Sequence, residues 1–322
     1  VTNVLVTGGT GFIGSRLVTA LNDQGHFVSV MGRDVSRIQA RFGGSVRSVE
    51  WDPAESGSWT AELGRHSVVV HLAGEPAVGR RMSDGLRRSI RNSRVRSTRR
   101  IIDAIGQAET KPETLICASA VGFYGTGSAR VRGPDPERFD NNTPMPLDET
   151  SPAGSDFLAE LCHEWEAAAV RAEYFGVRVV LLRLGVVIGE NGGVLGRLLP
   201  LFRLGLGGRI GNGQQPMPWV AIDDVVGVVE FCMSHPNVHG PLNVVSPNLV
   251  TNARFTEELA KSVHRPALLQ VPAFALRLAL GEGAAALLEG QNVVPAALQR
   301  EGYEFRYPDL GLALAAAIAR SE

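Results

Sequence analysis

Three glycines spaced by three, Gly8, Gly11 and Gly14, follow a short apolar run, Val4-Leu5-Val6, and constrain this chain more than any other feature. After them Ile13, Leu17, Val18 and Leu21 recur at helical spacing, and Gly25 supplies a stop. The order is strand, tight turn, helix. Such a turn needs glycine where the backbone shape is closed to other residues, where the main chain approaches a pyrophosphate, and where the helix packs closely on the strand. The helix N-terminus adds free N–H groups and a positive dipole end. A second apolar run, Phe27 to Met31, completes a β-α-β unit. Gly8, Thr10, Gly11, Phe12, Ile13 and Gly14 are therefore the candidate dinucleotide contacts. The bland alternative is a glycine-rich turn that binds nothing.

The end of the second strand decides which dinucleotide. An acidic side chain there holds the ribose hydroxyls of NAD. Here the stretch reads Met31-Gly32-Arg33-Asp34, with glycine where the acid is expected and an arginine next. A guanidinium suits a 2′-phosphate, so the expectation is NADP(H) in preference to NAD(H). The alternative leaves Arg33 as an ordinary exposed arginine and turns Asp34 in to the ribose. A third strand, Val46 to Trp51, brings Asp52 towards the adenine, and a fourth, Ser67 to Leu72, ends in Ala73-Gly74. Ala73 and Gly74 are small enough to let the chain pass the nicotinamide ribose, and Leu72, Ala73 and Gly74 are further candidate cofactor contacts. His71, inside the apolar run, reads as a core histidine rather than a base.

The 322 residues carry 32 Lys and Arg against 33 Asp and Glu, which gives no electrostatic reason for nucleic-acid or membrane binding. No apolar run is long enough to span a bilayer and no signal-peptide pattern opens the chain. Cys117, Cys162 and Cys232 are odd in number and far apart, which suggests neither a disulfide framework nor a metal site. A cytoplasmic α/β protein acting on a small molecule is the default. Arginines crowd 80–100, including Arg80, Arg81, Arg87, Arg88, Arg91, Arg94, Arg96, Arg99 and Arg100. With no aromatics interleaved they read as a solvated helix face or a subunit contact, not a nucleic-acid site.

Further on, Leu115 to Ser119 is a fifth strand, and 126–147 is polar and rich in Gly, Pro, Asn and Asp, a long surface loop. Ser155 or Asp156 can cap a helix that runs to about Phe175, with Gly176 as the stop. Val177 to Leu184 is a sixth strand, apolar apart from Arg178 and Arg183. Past Gly185 glycines crowd the chain around an apolar helix, Val194 to Leu204. Met217 to Ile222 reads as a strand, Asp223-Asp224 opens a helix over Val225 to Met233, and Pro241 to Val245 is a short strand. Thr251 caps a helix to about Val263, and short Ala- and Leu-rich helices follow Pro272. The expected architecture is a Rossmann-type doubly wound parallel sheet over 1–184. A smaller, mostly helical substrate lobe covers 185–322, with segments near 219–246 returning to the sheet. Gln214, Gln215 and Trp219 are candidates to line its substrate pocket, or equally belong to loop and core.

These landmarks resemble the extended short-chain dehydrogenase/reductase superfamily. The matching stretches are G-G-T-G-F-I-G (8–14), H-L-A-G (71–74), A-S-A-V-G-F-Y-G (118–125), L-R-L-G-V-V-I-G (182–189), I-D-D-V-V (222–226) and P-L-N-V (241–244). A closer resemblance is to its atypical epimerase-family branch, the bacterial sugar-nucleotide-epimerase-like and plant and cyanobacterial cell-division-associated proteins. It is carried by H-L-A-G-E-P (71–76), S-R-V-R-S-T-R (93–99), S-D-F-L-A-E-L-C-H-E-W-E (155–166), F-R-L-G-L-G-G (202–208) and V-P-A-F-A-L-R-L (271–278). Only the 126–147 loop falls outside it.

The resemblance implies a Tyr-x-x-x-Lys pair on the helix after the fifth strand, in which the lysine lowers the tyrosine pKa and the tyrosine passes a proton. Aligned on Glu166, those positions hold Leu158 and Cys162, and neither does that work. The superfamily's asparagine falls on Arg94, and its serine on Ala120 or Ser119. Candidate chemistry therefore passes to Ser119, Tyr124, Cys162, Arg94 and Glu160, with Tyr124 near Arg94 as a proton donor; the alternative, which carries more weight, packs Tyr124 beside the fifth strand and leaves Cys162 an inert buried thiol. The resemblance also implies a homodimer through the helices at 83–109 and 156–175. Two functions remain open: an NADP(H)-dependent oxidoreductase or epimerase-like enzyme with a non-standard proton donor, and a dinucleotide-binding regulator without catalysis.

Overall fold

In a computed structural model, which describes residues 1–53, 55, 57–77, 81–126, 146–190 and 192–320, the apolar runs pair as parallel strands. Along the chain these are β1 (Asn3–Thr7), β2 (Phe27–Gly32), β3 (Arg47–Glu50), β4 (Val68–His71), β5 (Thr114–Ala120) and β6 (Arg178–Leu184). The register sets Val4 beside Val28 and Val68, and Val6 beside Val30 and Val70. Alternate residues of β1 enter different cores. Val4 and Val6 face Leu17, Val18 and Leu21 of α1 (Phe12–Asp23), while Leu5 faces the side holding Ile101, Ile102 and Trp165. Both faces are covered, which is why these strands read as continuous apolar runs.

Four helices cover the sheet or lead along it: α2 (Val35–Phe42), α3 (Thr60–Leu63), α4 (Asp84–Arg91) and α5 (Ser97–Gln107). Between α4 and α5 lies a π-helical stretch, Asn92–Arg96, where sequence reasoning sees only continuous helix. It interrupts the arginine-rich face at Arg94. The next helix, α6 (Phe157–Val170), is capped by Asp156, whose Oδ1 accepts from Ala159 N at 3.0 Å; Ser155 is not the cap. Its expected last turn is a separate 3-10 turn, Arg171–Phe175, stopped by Gly176 at φ 77. Most of the expected surface loop, 127–145, lies outside the described residues, as does Arg80.

Beyond β6 the chain makes β7 (Val186–Ile188), α7 (Leu195–Arg203), β8 (Gly208–Ile210), β9 (Pro216–Met217), β10 (Trp219–Ala221), α8 (Ile222–Ser234) and β11 (Gly240–Val244). The strand expected over Met217 to Ile222 is broken at Pro218, which has no N–H to continue a ladder. Ile222 already begins α8. That helix packs on α1 through Arg16 and Asp223, 2.8 Å apart. β11 then pairs in parallel with β6, so the sheet order is β11-β6-β5-β4-β1-β2-β3. The order reverses between β1 and β4, which places a crevice over the carboxyl ends of those two strands.

The remaining chain adds β12 (Val250–Thr251), α9 (Asn252–Ser262), β13 (Leu269–Val271), α10 (Ala273–Leu280), α11 (Ala285–Leu288), α12 (Ala296–Arg300) and α13 (Leu310–Ala319). Thr251 caps α9 as expected, its Oγ1 accepting from Arg254 N. A third core joins Leu195, Leu199, Phe202, Trp219, Phe255, Leu259 and Leu314. Asp224, fully buried in α8, accepts from Arg306 N at 2.6 Å and Tyr307 N at 3.0 Å and so anchors the segment before α13. Among the described residues no helix is long and apolar enough to cross a membrane.

Candidate functional site

The glycine turn fits a dinucleotide because its backbone leaves no room for side chains. Gly8 holds φ +70, and Gly11 N donates to Gly8 O at 2.9 Å. A Cβ on Gly14 would sit 2.2 Å from Gly8 O, and one on Gly8 would sit 2.9 Å from Ala73 N. Turn and strand end therefore touch main chain to main chain. α1 begins at Phe12 with no side chain capping it, so its first-turn N–H groups offer the ready anion site that such helix ends provide. Thr10 and Ile13 flank this turn half-exposed. The Phe12 ring is occupied elsewhere: a Cβ on Gly192 would meet it at 2.4 Å, so the glycine-rich stretch after β7 packs against Phe12 beside the turn. Beneath, Thr7 Oγ1 pairs with His71 Nδ1 at 2.7 Å and accepts from Ala73 N at 3.3 Å. Burial pushes the His71 pKa down to about 3, so the ring is neutral and holds the turn rather than acting as a base.

At the end of β2, Asp34 does not turn inward. Its Oδ1 accepts from Arg37 N at 2.9 Å and caps α2. Arg33 is exposed beside it, and Asp52 is exposed past the end of β3. A second guanidinium, which the sequence gives no spacing to find, is Arg41: it donates to Ser15 Oγ in the first turn of α1 at 2.9 Å.

The hydroxyl candidates beyond β5 are committed to a buried network. Ser119 Oγ donates to Glu166 Oε1 at 2.6 Å. Arg183 Nε donates to the same oxygen, and its Nη2 to Oε2, each at 2.9 Å. Arg183 Nη1 donates to Tyr124 Oη at 3.0 Å, and the guanidinium lies 3.5 Å from the Phe123 ring centroid. Tyr124 Oη donates towards Asn243 Oδ1 at 2.7 Å and Asp148 O at 2.9 Å, and burial pushes its pKa up to about 12. Tyr124 thus partners Arg183, not Arg94 as the sequence suggested. Glu149 extends the network by accepting from Asn243 N and Ala297 N. The arrangement ties β5, α6, β6, β11 and the approach to α12 together.

The rest of the candidates divide. Cys162 is buried, and burial first and Glu166 second push its pKa up to about 12, so it is a thiol at neutral pH. Glu160 lies on the exposed side of α6 and does not reach the crevice. Trp219 is 1% exposed in the third core, with Nε1 donating to Asn248 O, so it lines no pocket. Gln215 spends its amide on Ile210 O and Leu287 O, and Gln214 is exposed. Arg94 is different. The π turn carries its guanidinium over Gly74, where a Cβ would lie 3.2 Å from Cζ. It rests 5.2 Å from the Trp165 ring centroid and donates to Glu75 O at 2.7 Å. Arg94, Gly74 and Ala73 meet beside the glycine turn, and Cys162 is close enough for Arg94 to oppose its rise in pKa. No cluster of His, Cys, Asp and Glu suited to a metal occurs among the described residues.

Known proteins share this layout. The pattern of the NAD dependent epimerase/dehydratase family matches residues 4–245, and a domain of unknown function, DUF1731, matches 271–317. Epimerase family protein ML0860 of Mycobacterium leprae is 40% identical over 319 residues, which cover 98% of this chain and 96% of that one. The crystal structure of human epimerase family protein SDR39U1 (isoform 2) with NADPH superposes at a TM-score of 0.83 and 33% identity, covering 98% of this chain and 99% of that one. The UDP-glucose 4-epimerase of Thermotoga maritima shares the fold alone, at a TM-score of 0.76 and 18% identity over 98% and 97% of the two chains. With the glycine turn, the sheet order and these relatives together, the chain belongs to the NAD-dependent epimerase/dehydratase family.

Proposed function

We propose that the chain binds NADP(H) in preference to NAD(H) and acts as an oxidoreductase or epimerase-like enzyme on a small molecule. The carrying observation is the glycine cradle beside Ala73 and Gly74, in a chain similar to a relative crystallised with NADPH. Gly8, Gly11 and Gly14 would hold the phosphates, and Arg33, beside a carboxylate already spent on capping α2, would read the 2′-phosphate. The cofactor supplies hydride transfer when bound. The chain's own contribution is Arg94, a fixed cation next to Gly74 that can polarise an oxygen on the reacting molecule.

A second reading, dinucleotide binding without turnover, draws on the commitments of Ser119 and Tyr124 and on the protonated Cys162. One titration series addresses both. NADPH and NADH are added separately while nicotinamide fluorescence is followed, and carbonyl compounds are then offered to the NADPH-loaded protein. NADPH is expected to bind more tightly, with Arg33→Ala costing about tenfold for NADPH and little for NADH. Tighter NADH binding would remove the NADP assignment. Binding without oxidation of NADPH by any carbonyl compound would favour the second reading.

A further inference from the structure

Arg41 has a fixed place and no task in the functional reading above. It lies in the last turn of α2 and is exposed, yet its Nη2 donates to Ser15 Oγ at 2.9 Å. Ser15 is buried in the first turn of α1. Its N–H donates to Gly11 O at 2.9 Å and its hydroxyl to Phe12 O at 3.3 Å, so the Arg41 guanidinium hangs on the glycine turn itself. Side chains on a helix lean towards its N-terminus. Arg41 therefore reaches back along α2, towards the end of β2, and not onto the last carbonyls of its own helix. The same three elements converge there in two other contacts. A Cβ on Gly9 of the turn would lie 2.7 Å from Val30 Cγ1 of β2, and one on Gly32 would lie 3.4 Å from Ile38 Cδ1 of α2. Between Gly32 and Arg41 the only carboxylate is Asp34, whose Oδ1 is held by Arg37 N. Neither Arg33 nor Arg41 forms an ion pair among the described residues. A neutral hydroxyl fixes the Arg41 guanidinium without neutralising it, and the rest of its N–H donors have no acceptor among the described residues.

We propose that Arg41 is a second specificity-determining residue for the dinucleotide: it grips the 2′-phosphate of NADP(H) from the α1 side, opposite Arg33, and Ser15 positions it. A dinucleotide seated on this turn carries its adenosine ribose at the end of β2, next to α1's first turn. A 2′-phosphate there presents several strong acceptor oxygens, which suit a guanidinium fork on each side better than one alone. The proposal rests on the NADP(H) assignment above and adds to it two residues that the β2 end does not contain.

The probes are NADPH and NADH, and adenosine 2′,5′-bisphosphate and AMP, two pairs that differ only by the 2′-phosphate. Each is titrated calorimetrically into the parent and into two variants. Arg41→Met keeps most of the side chain's length and should weaken NADPH and the bisphosphate by about tenfold, and NADH and AMP by less than about twofold, as loss of a charge-assisted contact predicts. Ser15→Ala keeps the charge but frees it, and should weaken NADPH by about threefold and leave NADH unchanged. Added salt should weaken NADPH more than NADH in the parent, and the gap should narrow in Arg41→Met. Melting temperature certifies that each variant is folded. An unchanged NADPH-to-NADH ratio in Arg41→Met overturns the proposal. Equal weakening of both dinucleotides also overturns it, because Arg41 then only ties α2 to α1. An unchanged ratio in Ser15→Ala overturns the positioning role of Ser15. The functional reading fails separately, in the parent: if that protein binds NADH more tightly or binds neither dinucleotide, the NADP(H) assignment falls and this proposal with it.

Discussion

Glu166 offers the sharpest test of how this site is built. Glu166 and Arg183 are 9% and 4% exposed, and the carboxylate takes two guanidinium N–H groups and the Ser119 hydroxyl. Glu166→Leu leaves a buried guanidinium without its counter-charge, which costs about 3–5 kcal/mol. At about 2–4 °C per kcal/mol for a large domain, the melting temperature falls by roughly 6–20 °C. Arg183→Met strands the carboxylate and costs a similar amount. The double variant Glu166→Leu/Arg183→Met replaces the pair with apolar volume and should return to within about 2 kcal/mol of the parent, since buried pairs contribute little net stability. The residual cost comes from Tyr124, which loses a donor, and Ser119, which loses its acceptor. Urea unfolding of all four proteins at neutral pH gives the coupling energy directly. NADPH affinity should change little, because the glycine turn makes none of these contacts. Single variants within about 1 kcal/mol of the parent, or simple additivity in the double, would refute the reasoning.

Two further outcomes follow from the turn. Gly14→Ala sets a methyl 2.2 Å from Gly8 O, where only main-chain movement can relieve it, and should abolish NADPH binding measured by fluorescence. His71 gives a pH effect with a definite sign. Its folded pKa, about 3, lies below the ordinary 6.5, so the folded protein binds fewer protons between those values. His71's contribution is complete above 6.5 and is lost as pH falls, at up to about 1.4 kcal/mol per pH unit. His71→Gln, which cannot titrate, should flatten the urea-derived stability between pH 6.5 and 5 relative to the parent.

The turn was legible because its requirements are local. Gly8, Gly11 and Gly14 stand three apart, and helix caps such as Asp156 and Thr251 act over three residues. The network around Glu166 was not legible for the opposite reason. Arg183 showed only as an odd charge in an apolar strand, and the network's other members Ser119, Tyr124 and Asn243 come from β5, the turn after it and β11. No periodicity links them. The π turn at Asn92–Arg96 escaped too, since its residues are acceptable in an ordinary helix. Helical pattern alone therefore put Arg94 on a solvated face, and only the resemblance singled it out. For Trp219 the sequence left pocket and core equally open, and the structure takes the core, where Asn248 O satisfies the indole N–H.

The late arrival of β11 has a consequence for how the protein is made. The edge of β6 that it covers includes Val180 and Leu182, which are fully buried in the finished sheet. Roughly 60 residues separate the two strands, and a ribosome adding about 5–20 residues per second needs about 3–12 s to deliver them. For that interval the nascent chain presents an apolar strand with open backbone groups, the kind of edge that recruits other strands. A premature stop between Leu184 and Gly240 makes that exposure permanent. Truncation products of this protein are therefore expected to be held by chaperones or degraded, not to persist as a free nucleotide-binding fragment.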